Sequence, residues 1–103
     1  MSIYKLLLKT FPDCISQHQD LPVDGFEVAI RPIIFGKETS LQSQLDAYAP
    51  IANKVIGIHG SIYREGVNFL DPDARDQNLN ALSYCKDALN VFLGTDLNYL
   101  ILE

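Results

Sequence analysis

The stretch Leu21–Ile30, LPVDGFEVAI, decides how the sheet of this chain is read. Asp24-Gly25 is a two-residue turn signal, because both central positions of a type I′ turn require positive φ. A fold at that point sets Val23 opposite Phe26 and Leu21 opposite Val28. Leu21, Val23, Phe26, Val28 and Ile30 then share one apolar face. Turn chemistry and side-chain alternation agree, so the stretch predicts an antiparallel hairpin. Pro22 has no N–H to give, which puts the first strand at an edge or breaks it. The second strand continues through Arg31–Phe35, disturbed at Pro32.

Working outward, Tyr4, Leu7, Leu8 and Phe11 recur at helical spacing and predict a first helix stopped by Pro12. Tyr4, Leu6 and Leu8 also alternate, so a strand is the rival reading. Thr39 with Gln42 fits a capping box, and Leu41, Leu45, Tyr48, Ala49 and Ala52 follow at helical spacing. Pro50 ends or kinks that helix near Tyr48. Lys54–Gly66, KVIGIHGSIYREG, reads as a second hairpin about Gly60-Ser61, with glycine first as a type II′ turn requires. His59 then faces Ile62, and Gly57 and Gly66 mark bulges or close backbone approach. Asp71-Pro72 is an N-cap followed by proline at the first helical position, with Asp73 and Asp76 in the first turns. Leu82, Cys85, Leu89 and Phe92 form the inward stripe of that helix, Ala81 and Ala88 lie beside it, and Gly94 ends it. Leu97–Glu103, LNYLILE, is apolar at nearly every position and predicts a central strand covered on both faces. The expected architecture is a single α+β domain over residues 1–103. Its order is αββαββαβ: a mostly antiparallel sheet of about five strands with two or three helices on one face.

Composition narrows the function classes. The 103 residues are 48% hydrophobic and 20% charged, which excludes a disordered chain. The net charge is −5, and the eight Lys and Arg are scattered without a run, so no basic surface for nucleic acid is expected. Cys14 and Cys85 do not make a disulfide framework. The leucines after Lys5 are too few for a signal-peptide core, and no apolar run approaches the ~20 residues that span a bilayer. These features predict a cytoplasmic protein with free thiols and no membrane segment.

Candidate chemistry is sparse. GIHGSIYREG lacks the lysine of a phosphate-binding loop, and FGKETS has Glu38 where serine or threonine belongs. His59 beside Ser61 at a tight turn lacks a third orienting group for nucleophilic catalysis. Cys14 and His18 have ligand spacing, but two ligands do not make a structural zinc site. Asp71, Asp73 and Asp76 depart from a calcium loop at Arg75 and serve better as helix-capping acids. Glu65 and Arg64 point to opposite faces of a strand. No catalytic constellation, metal or cofactor is expected. If a pocket exists, its candidate residues are His59, Arg64 and His18. The candidate interaction surface is Asp71, Asp73, Asp76 and Tyr84, the last lying off the apolar stripe of its helix.

Asp76–Cys85, DQNLNALSYC, resembles the helix by which barstar-type ribonuclease inhibitors engage their enzyme, and the apolar strand after it is similar too. The order of elements before it departs from that fold, so no functional residue is carried over. The expected function is a protein–protein interaction module, of inhibitor, immunity or adaptor type. Its partner would be a basic protein or a second copy of the chain. The alternative is a small enzyme or ligand-binding protein with a pocket between sheet and helices.

Overall fold

In a computed structural model that describes residues 5–60, 68–92 and 99–101, strands and helices alternate along the chain. β1 (Leu7–Thr10) leads through a 3-10 turn, Pro12–Cys14, into the short α1 (Ile15–His18) and then β2 (Gly25–Ala29). A small hairpin of β3 (Ile33–Ile34) and β4 (Lys37–Glu38) precedes α2 (Leu41–Tyr48) and a 3-10 segment, Ala49–Lys54. β5 (Val55–His59), a 3-10 turn at Pro72–Ala74, α3 (Arg75–Val91) and β6 (Tyr99–Ile101) follow.

The mixed class with three helices stands, but the mostly antiparallel five-stranded sheet does not. β1, β2 and β5 are parallel neighbours, and β6 adds to β5, also parallel. Only β3 and β4 pair antiparallel, in a separate two-stranded ribbon. Parallel neighbours need a crossover, and α1, α2 and α3 each supply one. All three pack on one face: Ile15, Tyr48, Ile51, Ala88 and Phe92 share a core with Phe26, Val28, Ile30, Val55 and Ile58.

The error originates at Asp24-Gly25. Asp24 is no turn residue; its N–H donates to Leu6 O (2.8 Å) and its carboxylate accepts from Leu6 N (2.6 Å), tying it to the start of β1. Gly25 opens β2, where a Cβ would lie 3.0 Å from Ile56 Cδ1. The glycine answers a close approach between strands, which a turn-forming dipeptide imitates. Phe26, Val28 and Ile30 alternate as expected, and all three are fully buried. The only positive-φ turn among the described residues is Phe35-Gly36 (φ 51° and 76°), joining β3 to β4 beyond the expected disturbance at Pro32.

Other expectations shift likewise. The first helix is the strand β1, so the alternation of Leu6 and Leu8 outweighs the helical spacing. The second hairpin fails because β5 is flanked by β2 and β6, both parallel, over Gly57–His59. Ser61, Ile62 and Gly66 lie outside the described residues. α2 is capped by Ser40, whose Oγ accepts from Ser43 N (3.1 Å); Thr39 is occupied in closing the hairpin, its N–H donating to Pro32 O (3.0 Å). The helix ends at Tyr48, as Pro50 required. Asp71 caps the entry to α3, accepting from Asp73 N (2.9 Å), with Pro72 at the first position. α3 turns inward on Ala81, Cys85, Ala88 and Phe92, while Leu82 and Leu89 flank that stripe and stay exposed. Small residues at positions 81 and 88 let the helix lie close to the sheet. Gly94 lies outside the described residues. Among the described residues β6 stands at the edge of the sheet rather than at its centre.

Candidate functional site

With the helices on one face, the alternation of each strand sends its other side chains to the opposite face. Cross-strand register lines up Lys9 with Glu27, Glu27 with Gly57, and Ala29 with His59. Phe11 and Arg31 continue the same alternation just past the carboxyl ends of β1 and β2. Their contacts bear this out. The Arg31 guanidinium carbon lies 5.9 Å from the centroid of the Phe11 ring, and Lys9 Nζ lies 5.7 Å from the same centroid. Two cations therefore converge on one aromatic ring at the carboxyl edge of the sheet.

Arg31 is held firmly. Its Nη1 donates to His59 Nδ1 (3.1 Å) and Gly60 O (3.3 Å), and its Nε donates to Ile33 O (3.3 Å). The guanidinium ties the ends of β2 and β5 to the hairpin, and both Arg31 and His59 are buried. A guanidinium can only donate, so His59 Nδ1 accepts and the ring proton of the neutral form sits on Nε2. That nitrogen arrangement suits His59 to orienting Arg31 rather than to withdrawing a proton through Nδ1. The backbone of Arg31 is clasped from α2: its N–H donates to Gln44 Oε1 (3.0 Å), and Gln44 Nε2 donates to its carbonyl (2.9 Å). Beneath it, the buried Tyr48 hydroxyl donates to Ala29 O (2.6 Å). Burial pushes the Tyr48 phenol far above its ordinary range.

A cleft of about 360 Å³ opens beside Phe11, walled by Asp13, Ile34, Phe35, Lys37 and Glu38. The Phe35 ring is exposed and touches the Phe11 ring, centroids 4.5 Å apart and tilted by 48°. A second cleft of about 480 Å³ separates the β3–β4 hairpin from α3, lined by Pro32, Ile33, Ser40, Asn80 and Tyr84.

Of the residues singled out from the sequence, His59 lies at this edge, paired with Arg31, which sequence reasoning missed. His18 is elsewhere: it sits on α1, on the helical side of the sheet, with its Nδ1 2.9 Å from the Thr10 hydroxyl. Arg64 lies outside the described residues. Asp73 and Asp76 are exposed at the entry to α3, and Asp71 is half-buried there. Tyr84 is half-buried and donates its hydroxyl to Thr39 O (3.1 Å), anchoring α3 to the hairpin. Cys85 is buried on the inward face of α3, and neither Cys14 nor Cys85 is in a disulfide. One signal could have revealed Gln44: it occupies an inward position beside Leu41, Leu45 and Tyr48, where a polar side chain requires a buried partner. Among the described residues no cluster of three or more His, Cys, Asp or Glu is placed to hold a metal, and no helix is long and apolar enough to cross a membrane. Comparison of the chain with protein-family models, curated proteins and solved structures finds no match.

Proposed function

We propose that the protein binds a small anionic molecule in the cleft at the carboxyl edge of its parallel sheet. The observation that carries this reading is the convergence of Lys9 and Arg31 on the Phe11 ring, with Lys37 in the adjoining wall. In a chain of net charge −5, a local gathering of cations is a feature of place rather than of composition. The cleft volume falls within the range of about 300–1,000 Å³ typical of small-molecule sites. Asp13 and Glu38 also line the cleft and Glu27 stands opposite Lys9; these acids and the lysines Lys9 and Lys37 compete for the same ground, so the reading leans on the buried Arg31, which solvent screens least. His59 and Gln44 orient Arg31, so the arrangement favours binding over acid–base catalysis. A cytoplasmic setting, where Cys14 and Cys85 remain reduced, suits this reading.

The test is a titration of the full chain with inorganic phosphate, followed by backbone amide NMR shifts. Shifts confined to Lys9–Asp13 and Ile34–Glu38, weakened several-fold by Lys9→Gln and by added salt, are expected. An absence of shifts there at millimolar phosphate refutes the reading.

A second reading, an interaction module, is favoured by one flank of α3, where Leu79 (50%), Leu82 (39%) and Leu89 (36%) are exposed beyond the acids Asp73 and Asp76. The partner would be a basic protein or a second copy of the chain. Native mass spectrometry separates the readings: a dimer of bare chains lost in Leu82→Glu supports the flank as an interface. A monomer at all concentrations removes the homodimer.

A further inference from the structure

We infer that a second copy of the chain docks on the exposed flank of α3, the two α3 helices packing antiparallel about a two-fold axis at the level of Ala81. The inference rests on the interaction-module reading and is independent of the anion cleft. It names the occupant of that flank and the register in which it docks. α3 is a helix of 17 residues that turns Ala81, Cys85, Ala88 and Phe92 inward. At about 100° per residue, Leu79 and Lys86 point away from that stripe. Arg75 and Leu82 lie to one side of them, and Asp76 and Asp87 to the other. All six side chains are exposed.

The order of these residues is self-complementary. Arg75 and Asp87 stand equally far from Ala81 on either side, and so do Asp76 and Lys86. Each of these pairs carries opposite charges at its two ends. A two-fold axis at Ala81 exchanges those ends between copies. Asp76 then meets the partner's Lys86, Arg75 meets the partner's Asp87, and symmetry makes each contact twice. Leu79 and Leu82 bracket the same axis, so the leucines of both copies meet at the centre, between the charges. A parallel packing in register sets each charge beside its own copy and is repelled. The charge of −5 on each chain opposes unguided self-contact, and the ion pairs offset that repulsion locally. A uniformly basic partner would face Arg75 and Lys86 beside the leucines, so the flank fits its own copy better. One helix pair buries less than the ~1,200 Å² of stable complexes, which sets the dissociation constant on the order of tens of micromolar.

The experiment is sedimentation equilibrium of the full chain from micromolar to millimolar concentration. The wild type is expected to dimerise. Asp76→Lys and Lys86→Asp each turn two attractions into repulsions and should weaken the dimer about tenfold. The exchange of both, Asp76→Lys with Lys86→Asp, should restore it to within about threefold of wild type. Circular dichroism checks that each variant folds. Asp76 supports the start of α3, so Arg75→Asp with Asp87→Arg repeats the exchange if an Asp76 variant unfolds. A double variant weaker than either single one overturns the pairing. A dimer that Leu82→Glu abolishes and no charge variant alters overturns the register while leaving the flank as an interface. A dimer that none of these substitutions touches overturns register and flank together. A monomer throughout overturns the inference and leaves the flank to a different protein.

Discussion

Gln44 holds the backbone of Arg31 at both of its polar groups, and replacing it with leucine should destabilise the fold by about 2.5 kcal/mol, the middle of the ranges that enter. The figure follows from two hydrogen bonds. Arg31 N–H donates to Gln44 Oε1 at 3.0 Å and Gln44 Nε2 donates to Arg31 O at 2.9 Å, and the side chain is 0% exposed. Leucine fills a similar volume and satisfies neither group. Each buried partner left unpaired costs about 1–3 kcal/mol. The more favourable transfer of leucine into the interior offsets part of the sum, about 1–2 kcal/mol. For a domain of this length the loss lowers the melting midpoint by on the order of 10–25 °C. Urea titration of both proteins measures it directly. Gln44→Glu sharpens the test. A protonated carboxyl can donate to Arg31 O and an ionised one cannot, so the folded state raises the pKa of the introduced acid above its unfolded value of about 4.3. The sign follows: the variant stands closest to wild type below about pH 4.3, and its relative stability is lost as pH rises through the folded-state pKa. A leucine variant within about 1 kcal/mol of wild type, or a glutamate variant whose deficit does not change between pH 4 and 8, would refute the clasp as the device that fixes Arg31.

Three further outcomes can be checked on the same apparatus. Tyr48→Phe deletes the 2.6 Å bond to Ala29 O and should cost about 1–2 kcal/mol near neutral pH. Because burial raises the Tyr48 pKa above 10.0, the wild type loses stability as pH climbs past that value, by up to about 1.4 kcal/mol per pH unit from this residue. Tyr48→Phe should lack that share of the alkaline slope, and parallel slopes would contradict the assignment. Gly25→Ala puts a Cβ 3.0 Å from Ile56 Cδ1 and should destabilise by about 1–3 kcal/mol in urea titration. Ile56→Ala should relieve most of that increment in a double-mutant cycle, and strict additivity would show that the close approach is not what demands glycine. Phe35→Asn should leave the melting midpoint nearly unchanged. The relief of left-handed backbone, about 1 kcal/mol, offsets the loss of the Phe11 ring contact, about 0.5–1.5 kcal/mol. A large fall in the midpoint would mean that the ring serves the fold.

What was legible in the sequence depended on whether a signal had one physical cause or two. Proline after Asp71 and proline at position 50 act through covalent constraints, and both mark helix limits where expected. The alternation of Phe26, Val28 and Ile30 reports one buried face, and that face is where the helices lie. Glycine is different, because it is selected both by positive φ and by the absence of a Cβ. Gly25 is of the second kind, and reading it as the first turned a parallel sheet into an antiparallel one. A hairpin at Val23–Phe26 needs no crossover, and without a crossover nothing requires residues 7–10 to be a strand. The same ambiguity hid the site. In an antiparallel hairpin His59 belongs to an exposed tip; in the parallel sheet it ends β5 and meets Arg31, separated by 28 residues in sequence. Local spacing cannot predict such a pair, because the topology alone brings it together. Gln44 carried the recoverable information: a glutamine on the inward side of a helix has to find partners, and those partners are the backbone of the residue that anchors the carboxyl edge.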